Sequence, residues 1–292
     1  MLQTLLTSLA VLLRILSNPL GNLYQKNLTG RGHHPLLVNF LSYFLLSLFC
    51  IVLIPGQWGS KLSPVFWIYS LLGATVGSLG NGFLVKALQK GELSILGPIN
   101  SYKSIVGIIV GIFLLGEFPN LWGIVGVAII VAGSYLVLDT TEERFSWALL
   151  RRSEIQFRIW AMILTAIEAV FVKKLILASN VTIAFISWCM SGALFSFFLL
   201  PVFGVKPGKE FSRIHVADLK IYVLLILCIG TMQFTTNYAF AHMPVGYALS
   251  LFQLSTLVSV VLGYRVYREK DIRKKLIGAG VMMFGSVIII LS

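Results

Sequence analysis

Two long stretches of this chain, residues 36–54 and 221–241, contain no charged side chain at all. Each is about the ~20 residues that a helix needs to cross the ~30 Å hydrocarbon core of a membrane. Only 12% of the 292 residues are charged, about half the ~25% found in soluble domains. Because lipid offers no partner for free backbone N–H and C=O groups, the sequence predicts an all-α membrane protein.

Hydropathy divides the chain into ten predicted transmembrane helices, which we number spans 1 to 10 in chain order. Residues 2–13 have the length of a signal-peptide core, but no basic segment precedes them and Arg14 interrupts the apolar run. They are therefore predicted to belong to span 1. The longest connection, 139–158, separates the first five spans from the last five. The predicted spans are 2–23, 36–54, 65–85, 93–115, 121–138, 159–177, 181–203, 221–241, 245–264 and 276–291.

A shift of 152 residues places the end of the first five spans on the end of the last five, without a gap. The matched glycines and glutamates are Gly111 with Gly263, Glu117 with Glu269, Gly126 with Gly278 and Gly133 with Gly285. Duplication of an odd number of spans inverts the second copy in the membrane, which is how many carriers are built. The sequence thus predicts two inverted five-helix repeats, with domain boundaries at 1–144 and 145–292.

The net charge of +12 does not point to nucleic acid, because the basic residues lie mostly between the spans. Odd-numbered connections hold 18 Lys and Arg residues, and even-numbered connections hold 3. The positive-inside rule then predicts cytoplasmic odd connections and both termini outside. Cys50, Cys189 and Cys228 fall inside apolar segments without metal-ligand spacing, so they are interpreted as packing thiols and no metal or cofactor is predicted.

The two repeats end in similar segments, LLGEFPNLWGIVGVAIIVAGSYLVL in the first half and YREKDIRKKLIGAGVMMFGSVIIIL in the second. This pattern resembles the EamA-type transporters of the drug/metabolite transporter superfamily over essentially the whole chain. The second copy keeps Glu269 but has Arg268 where the first has Gly116. The resemblance implies a carrier that works by alternating access around a central cavity lined by spans 1, 3, 4, 6, 8 and 9. It also implies both termini inside, contrary to the charge count.

Three charged residues, Arg14, Lys103 and Glu168, lie near the midpoints of spans 1, 4 and 6. A charge at that depth costs about 2.5 to 3.5 kcal/mol on insertion scales, so each is expected to face a wet cavity or a partner. One interpretation is structural, with Glu168 neutralising Lys103 or Arg14 in a buried pair. The other is functional: an unmatched cation binds a carboxylate or phosphate, and Glu168 binds an amine or carries a proton.

Amide side chains extend these sites at helical spacing, since residues three or four apart share one face. Asn18 lies one turn after Arg14, Asn100 lies one turn before Lys103, and Gln233 and Asn237 share a face of span 8. Asn81 of span 3 is matched with Gln233 by the 152-residue shift. The predicted substrate-binding residues are therefore Arg14, Asn18, Asn81, Asn100, Lys103, Glu168, Gln233 and Asn237.

The sequence predicts a secondary active transporter that exports small polar metabolites, such as amino acids, across the cell (inner or plasma) membrane. Its expected partners are a small-molecule substrate, the lipid bilayer and a coupling proton, in a monomer or homodimer. The alternative is a membrane scaffold or receptor that transports nothing, in which helices pack solidly around structural charges. No catalytic motif occurs in the spans or connections, so an enzyme is not predicted.

Overall fold

A computed structural model describes residues 2–57, 62–91, 96, 99–138, 150–212, 214–267 and 272–291 of the chain. Every regular element in these ranges is a helix, which confirms the predicted all-α class. The helices of spans 1 to 5 are Leu2–Gly30, Pro35–Cys50, Pro64–Lys90, Lys103–Leu115 and Leu121–Leu138. Those of spans 6 to 10 are Ser153–Leu177, Val181–Val202, Val216–His242, the pair Val245–Phe252 and Ser255–Tyr267, and Ile272–Leu291.

Several helices run past the predicted ends of their spans, because hydropathy detects only the part that lies in hydrocarbon. The helix of span 1 continues seven residues to Gly30, and Pro19 lies inside it without ending it. The helix of span 6 begins at Ser153, which makes Arg158 part of the helix and not of the preceding connection. Span 9, predicted as one helix, is divided at Gln253, where i to i+3 backbone bonds replace the helical pattern.

The outer surface of the helices is apolar, as lipid contact requires. Trp67, Phe113 and Trp122 are 60%, 83% and 63% exposed, respectively. In the described part of the chain, six helices are long and apolar enough to cross a membrane on length and composition alone, namely those of spans 1, 2, 3, 7 and 8 and the helix pair of span 9. Spans 4, 5 and 10 contain shorter apolar helices, and span 6 carries the charges discussed below. The chain is a multi-pass membrane protein.

The packing of the helices follows the two-fold symmetry that the repeat predicts. Span 3 packs along span 6, and its counterpart, span 8, packs along span 1. Span 4 contacts spans 6 and 9, while spans 2 and 5 pack against their own counterparts, spans 7 and 10. Exchanging the halves therefore leaves this contact pattern unchanged. The predicted boundary between residues 144 and 145 lies outside the described residues and stays a prediction.

The matched glycines of the repeat meet where spans 5 and 10 cross. A Cβ atom added at Gly133 would lie 2.7 Å from the carbonyl oxygen of Gly278, and one added at Gly285 would lie 2.6 Å from that of Gly126. Because Gly126 matches Gly278 and Gly133 matches Gly285, the two contacts are copies of each other, and neither leaves room for a side chain. Close approach of this kind stabilises helix association in lipid, which supplies no hydrophobic driving force.

Gly133→Ala and Gly285→Ala are each expected to lower the thermal stability of the detergent-solubilised protein by about 1 to 3 kcal/mol, the usual cost of overpacking. The two effects should be similar, because the two contacts are related by symmetry. Gly280→Ala is the matched control, since a Cβ there meets nothing within 4 Å. Unfolding midpoints of the three variants check the prediction, and a loss as large for Gly280→Ala would contradict it.

A buried ion-pair cluster ties the connection between spans 1 and 2 to the start of the span 8 helix. Asp218 lies in the first turn of that helix, ahead of its apolar stretch, and is 3% exposed. Its carboxylate accepts hydrogen bonds from Arg31 at 3.0 Å and from the His215 N–H at 3.1 Å, and it lies 3.0 Å from Nε2 of His33. Burial raises the pKa of Asp218, but these hydrogen bonds outweigh it and hold the pKa below its ordinary 3.8.

Asp218→Asn is expected to lower stability at neutral pH by about 1.5 kcal/mol, the lower end of the contribution of a hydrogen bond to a charged group. A carboxyl whose pKa is lower in the folded state stabilises the protein above its unfolded pKa, and that contribution disappears as the pH falls through the folded value. The stability difference between the two proteins should therefore shrink below about pH 3.8. Unfolding curves from pH 7 to pH 3 measure it, and a constant difference would contradict the assignment.

Candidate functional site

A cavity of about 90 Å³ lies among the helices at mid-depth. At the ~30 Å³ that a water molecule occupies in the liquid, that volume holds about three waters, or a small solute in their place. Its lining includes residues of spans 1, 3, 4, 6, 8 and 9, as the resemblance implied, and adds Asn39, Ser42 and Tyr43 of span 2 and Trp188 of span 7. The lining reaches toward both membrane faces, with Gln25 and Arg158 toward one and Val172 and Phe240 toward the other.

The structure places seven of the eight predicted binding residues on this one cavity. They are Arg14, Asn18, Asn81, Asn100, Lys103, Glu168 and Gln233. Asn237 is not among the lining residues: it is completely buried, and its side-chain amide lies 2.9 Å from that of Gln233. Asn237 is therefore placed to orient Gln233, and not to touch a solute. The binding role of these eight residues stays a prediction.

Arg14 presents part of its guanidinium without a partner. Its Nε donates a 2.8 Å hydrogen bond to the Thr236 hydroxyl, and its Cζ lies 4.8 Å from the centroid of the Phe252 ring. The side chain is 8% exposed, and Nη1 is buried with no hydrogen-bond partner among the described residues. Because an arginine donates five hydrogen bonds in a fixed fork, Arg14 is held in place with donors left for an anion.

Lys103 begins the helix of span 4, directly after a 3-10 turn over Asn100–Tyr102. Within the described part of the chain, no carboxylate lies within 4.0 Å of its Nζ. The buried Glu168–Lys103 or Glu168–Arg14 pair that the structural interpretation requires is thus not formed there. Among the residues that the structure describes, Arg14 and Lys103 thus have no ion-pair partner.

Glu168 is held by span 7 on one side and by span 3 on the other. Its Oε1 accepts a 2.7 Å hydrogen bond from the indole Nε1 of Trp188. A Cβ atom added at Gly77 would lie 2.2 Å from that same oxygen, so the absence of a side chain at Gly77 makes the room for the carboxylate. Glu168 is 7% exposed and lines the cavity. The carboxylate is therefore fixed near Arg14 and Lys103 but forms no ion pair with either.

Neutral donors and acceptors surround these charges. Asn81 donates to the Tyr43 hydroxyl at 2.8 Å and to the Gly77 carbonyl at 2.9 Å. The centroids of the Tyr43 and Trp188 rings lie 4.5 Å apart, so Tyr43 packs against the ring that donates to Glu168. Asn100 lies 3.5 Å from Gln253, at the break in span 9. Such groups suit a small polar solute with several hydroxyl, carboxylate or phosphate oxygens.

Sequence reasoning missed Arg158, which it assigned to the connection before span 6. The side chain is 6% exposed, lines the cavity and donates a 2.8 Å hydrogen bond to the Leu96 carbonyl. Its position seven residues before Thr165, which is two helical turns, places both on the face that carries Glu168. That spacing was the available signal. Tyr43 was missed and Trp188 was left out of the predicted site, because nothing in the sequence distinguishes them from packing aromatics.

The charged lining of the cavity is three cations, Arg14, Lys103 and Arg158, and one carboxylate, Glu168. An excess of positive charge in a site of low dielectric attracts anions and rejects cations, because electrostatic energies there exceed those in water. Among the described residues no group of three His, Cys, Asp or Glu side chains lies close enough to hold a metal ion. The arrangement can bind a carboxylate or phosphate and leaves Glu168 for an amine or a proton.

Three comparisons with known proteins bear on this site. A model of the EamA-like transporter family matches residues 7–139 and 152–291. A triose phosphate/phosphate translocator of non-green plastids from Brassica oleracea var. botrytis is 28% identical over 133 residues, 44% of this chain and 32% of that protein. The match thus spans about a third of that relative's length. A solved crystal structure covers 99% of this chain and 96% of its own, with a TM-score of 0.73 and 15% identity; it supports the fold alone.

Proposed function

Since the chain belongs to the EamA-like transporter family, we propose that it carries small anionic or zwitterionic metabolites through the mid-depth cavity by alternating access. That it transports small solutes across a membrane follows from its family, whereas the solute class and the mechanism are our proposal. The observation that carries it is the pair of cations, Arg14 and Lys103, that face the cavity with no carboxylate of the described residues in ion-pair distance.

The solute is expected to present a carboxylate or a phosphate to these cations. Arg14 would bind it through Nη1, the buried donor that lacks a partner among the described residues, and Lys103 would bind it as a point charge. Amino acids fit when their ammonium group contacts Glu168, and phosphate esters fit the excess of cations. The plastid relative, a triose phosphate/phosphate translocator by name, adds support for the phosphate esters. Glu168 would carry the coupling proton when no amine is bound.

The cavity itself favours a carrier over a scaffold, because a scaffold needs no solvated space around its charges. The positive-inside count favours cytoplasmic odd-numbered connections, and we propose export from that side. Location in the cell membrane and a monomeric or homodimeric state complete the proposal. A C-terminal reporter active only in the cytoplasm tests the orientation, and strong activity would reverse it.

A thermal-shift screen of the purified protein tests the solute class. The panel contains inorganic phosphate, three-carbon phosphate esters, dicarboxylates, neutral and cationic amino acids, and uncharged sugars. A solute at 100 times its dissociation constant should add about 2.7 kcal/mol to the stability of the folded protein. We expect shifts from anions or zwitterions only, followed by uptake of the same solutes into proteoliposomes. Shifts from cationic or uncharged solutes alone would overturn the proposal.

A further inference from the structure

Thr236 lies between Arg14 and the backbone of span 8, although the sequence did not single it out. Its hydroxyl accepts the 2.8 Å hydrogen bond from Nε of Arg14 and donates a 2.7 Å hydrogen bond to the carbonyl of Met232. A guanidinium has no acceptor, so the oxygen of Thr236 must be the acceptor in the first bond. Thr236 is 8% exposed and lines the cavity. Span 8 thus holds Arg14 through one buried hydroxyl group.

Phe252 holds the same guanidinium from span 9. It is the last residue of the first helix of that span, and its ring lies beneath the guanidinium, with 4.8 Å from Cζ to the ring centroid. An aromatic face at this distance attracts the cation. Phe252 is itself 2% exposed and packs against the ring of Phe240, with the two centroids 6.1 Å apart. Arg14 therefore joins span 1 to two elements of the second repeat.

These contacts determine which donors of Arg14 remain for a ligand. A guanidinium can bind a carboxylate or phosphate with two parallel hydrogen bonds, either from Nε and one Nη or from both Nη atoms. Thr236 occupies Nε, which excludes the first arrangement. Within the described residues neither Nη1 nor Nη2 donates a hydrogen bond, and Nη1 is buried. A buried donor without an acceptor costs free energy, and an anion with two oxygens on one atom removes that cost.

We propose that Thr236 is a positioning residue that turns the two Nη atoms of Arg14 toward the solute, so that carboxylate or phosphate binds end-on by two hydrogen bonds. The inference rests on the proposed function, and it assigns the recognition of the anion's shape to Arg14. Lys103 is a point charge without such a fork and contributes attraction alone. Without the hydroxyl of Thr236, Nε is released, the guanidinium turns toward another acceptor, and one of the two hydrogen bonds to the anion is lost.

Titration of the purified protein with three probes tests this role. The probes are inorganic phosphate, succinate and glycine, which represent the phosphate, dicarboxylate and amino-acid classes. Thr236→Val keeps the shape of the side chain but removes the acceptor. For the probes that the parent protein binds, affinity should fall about tenfold, the loss of one hydrogen bond to a charged group. Thr236→Ser keeps the hydroxyl and should restore most of that affinity.

The adjacent threonine supplies a matched control. Thr235 is also 8% exposed, and its hydroxyl also donates a 2.7 Å hydrogen bond to the carbonyl four residues earlier, that of Thr231. It does not line the cavity. Thr235→Val therefore removes the same group from the same helix and should leave the affinity for every probe unchanged. Equal losses in Thr235→Val and Thr236→Val would assign the effect to the packing of span 8 and overturn the inference.

A double-mutant cycle separates positioning from a direct or structural role. Lysine has no fork to orient, so in an Arg14→Lys background Thr236→Val should change the affinity by less than about twofold. A full tenfold loss in that background would show that Thr236 acts without Arg14. If Thr236→Val does not fold, Phe252→Leu decides: removal of the ring should weaken binding about two- to fivefold, the usual contribution of a cation–π contact.

The failure of this inference differs from that of the proposed function. A folded Thr236→Val protein, or in its place Phe252→Leu, that binds the probes as tightly as the parent overturns the inference alone. A parent protein that binds none of the three probes contradicts the proposed function, and the inference falls with it.

Discussion

Lys103→Met is expected to weaken binding of the anionic solute about 10- to 100-fold, without loss of the folded protein. A hydrogen bond to a charged group contributes about 1.5 to 3 kcal/mol, which corresponds to this range of affinity. Lys103 has no carboxylate within 4.0 Å in the described part of the chain. Its removal breaks no ion pair within that distance, so the loss of stability in the unliganded protein should be smaller than the loss of binding free energy. Solute titration and unfolding curves measure the two effects.

Lys174→Met provides the control, because it removes a lysine of span 6 that does not line the cavity. Its solute affinity should equal that of the parent protein. If both variants bound the solute as tightly as the parent, Lys103 would have no part in binding. A fall in affinity accompanied by an equal fall in stability would favour the structural interpretation of the charge.

Gly77→Ala is expected to lower the transport rate by about 10- to 100-fold, as a misplacement of about 1 Å does at a reacting centre. The added Cβ would lie 2.2 Å from Oε1 of Glu168 and 2.6 Å from its Cδ, so the carboxylate must move. Moving it breaks the 2.7 Å hydrogen bond from Trp188. Initial rates of solute uptake into proteoliposomes check this prediction.

Gly73→Ala is the control on the same helix, one turn earlier, where the nearest atom to a new Cβ is that of Phe171 at 3.7 Å. It should leave transport intact. A double-mutant cycle adds a second test: in a Glu168→Ala background there is no carboxylate to displace, so Gly77→Ala should have little further effect. Additive losses in that background would show that Gly77 acts through helix packing instead.

The general fold was predictable because composition and periodicity are signals that many residues of each helix share. Charge-free runs predict spans, and the glycines at a 152-residue spacing predict which helices touch at their backbones. Helix ends were less predictable: Arg158 belongs to span 6, yet its charge excluded it from an apolar window. The break at Gln253 was missed for a related reason, since the residues around it are apolar enough for one continuous helix.

The positions of the candidate site residues followed from the depth of each charge along its helix. Arg14, Lys103 and Glu168 were each placed near mid-span, and helices that cross at one level bring such residues together. Partners across helices did not follow, because a single sequence holds no record of which faces meet. Nothing in it pairs Trp188 with Glu168 or directs Asn237 onto Gln233.

The crossing of spans 5 and 10 limits the mechanics of the carrier. Two helices in backbone contact at Gly133 and Gly285 cannot slide along each other without forcing neighbouring side chains into a gap that admits none. Rotation about the contact meets no such obstacle. We therefore expect the crossing to behave as a pivot, so that displacements grow with distance from it. The rim of the cavity would then travel furthest while the glycines remain in place.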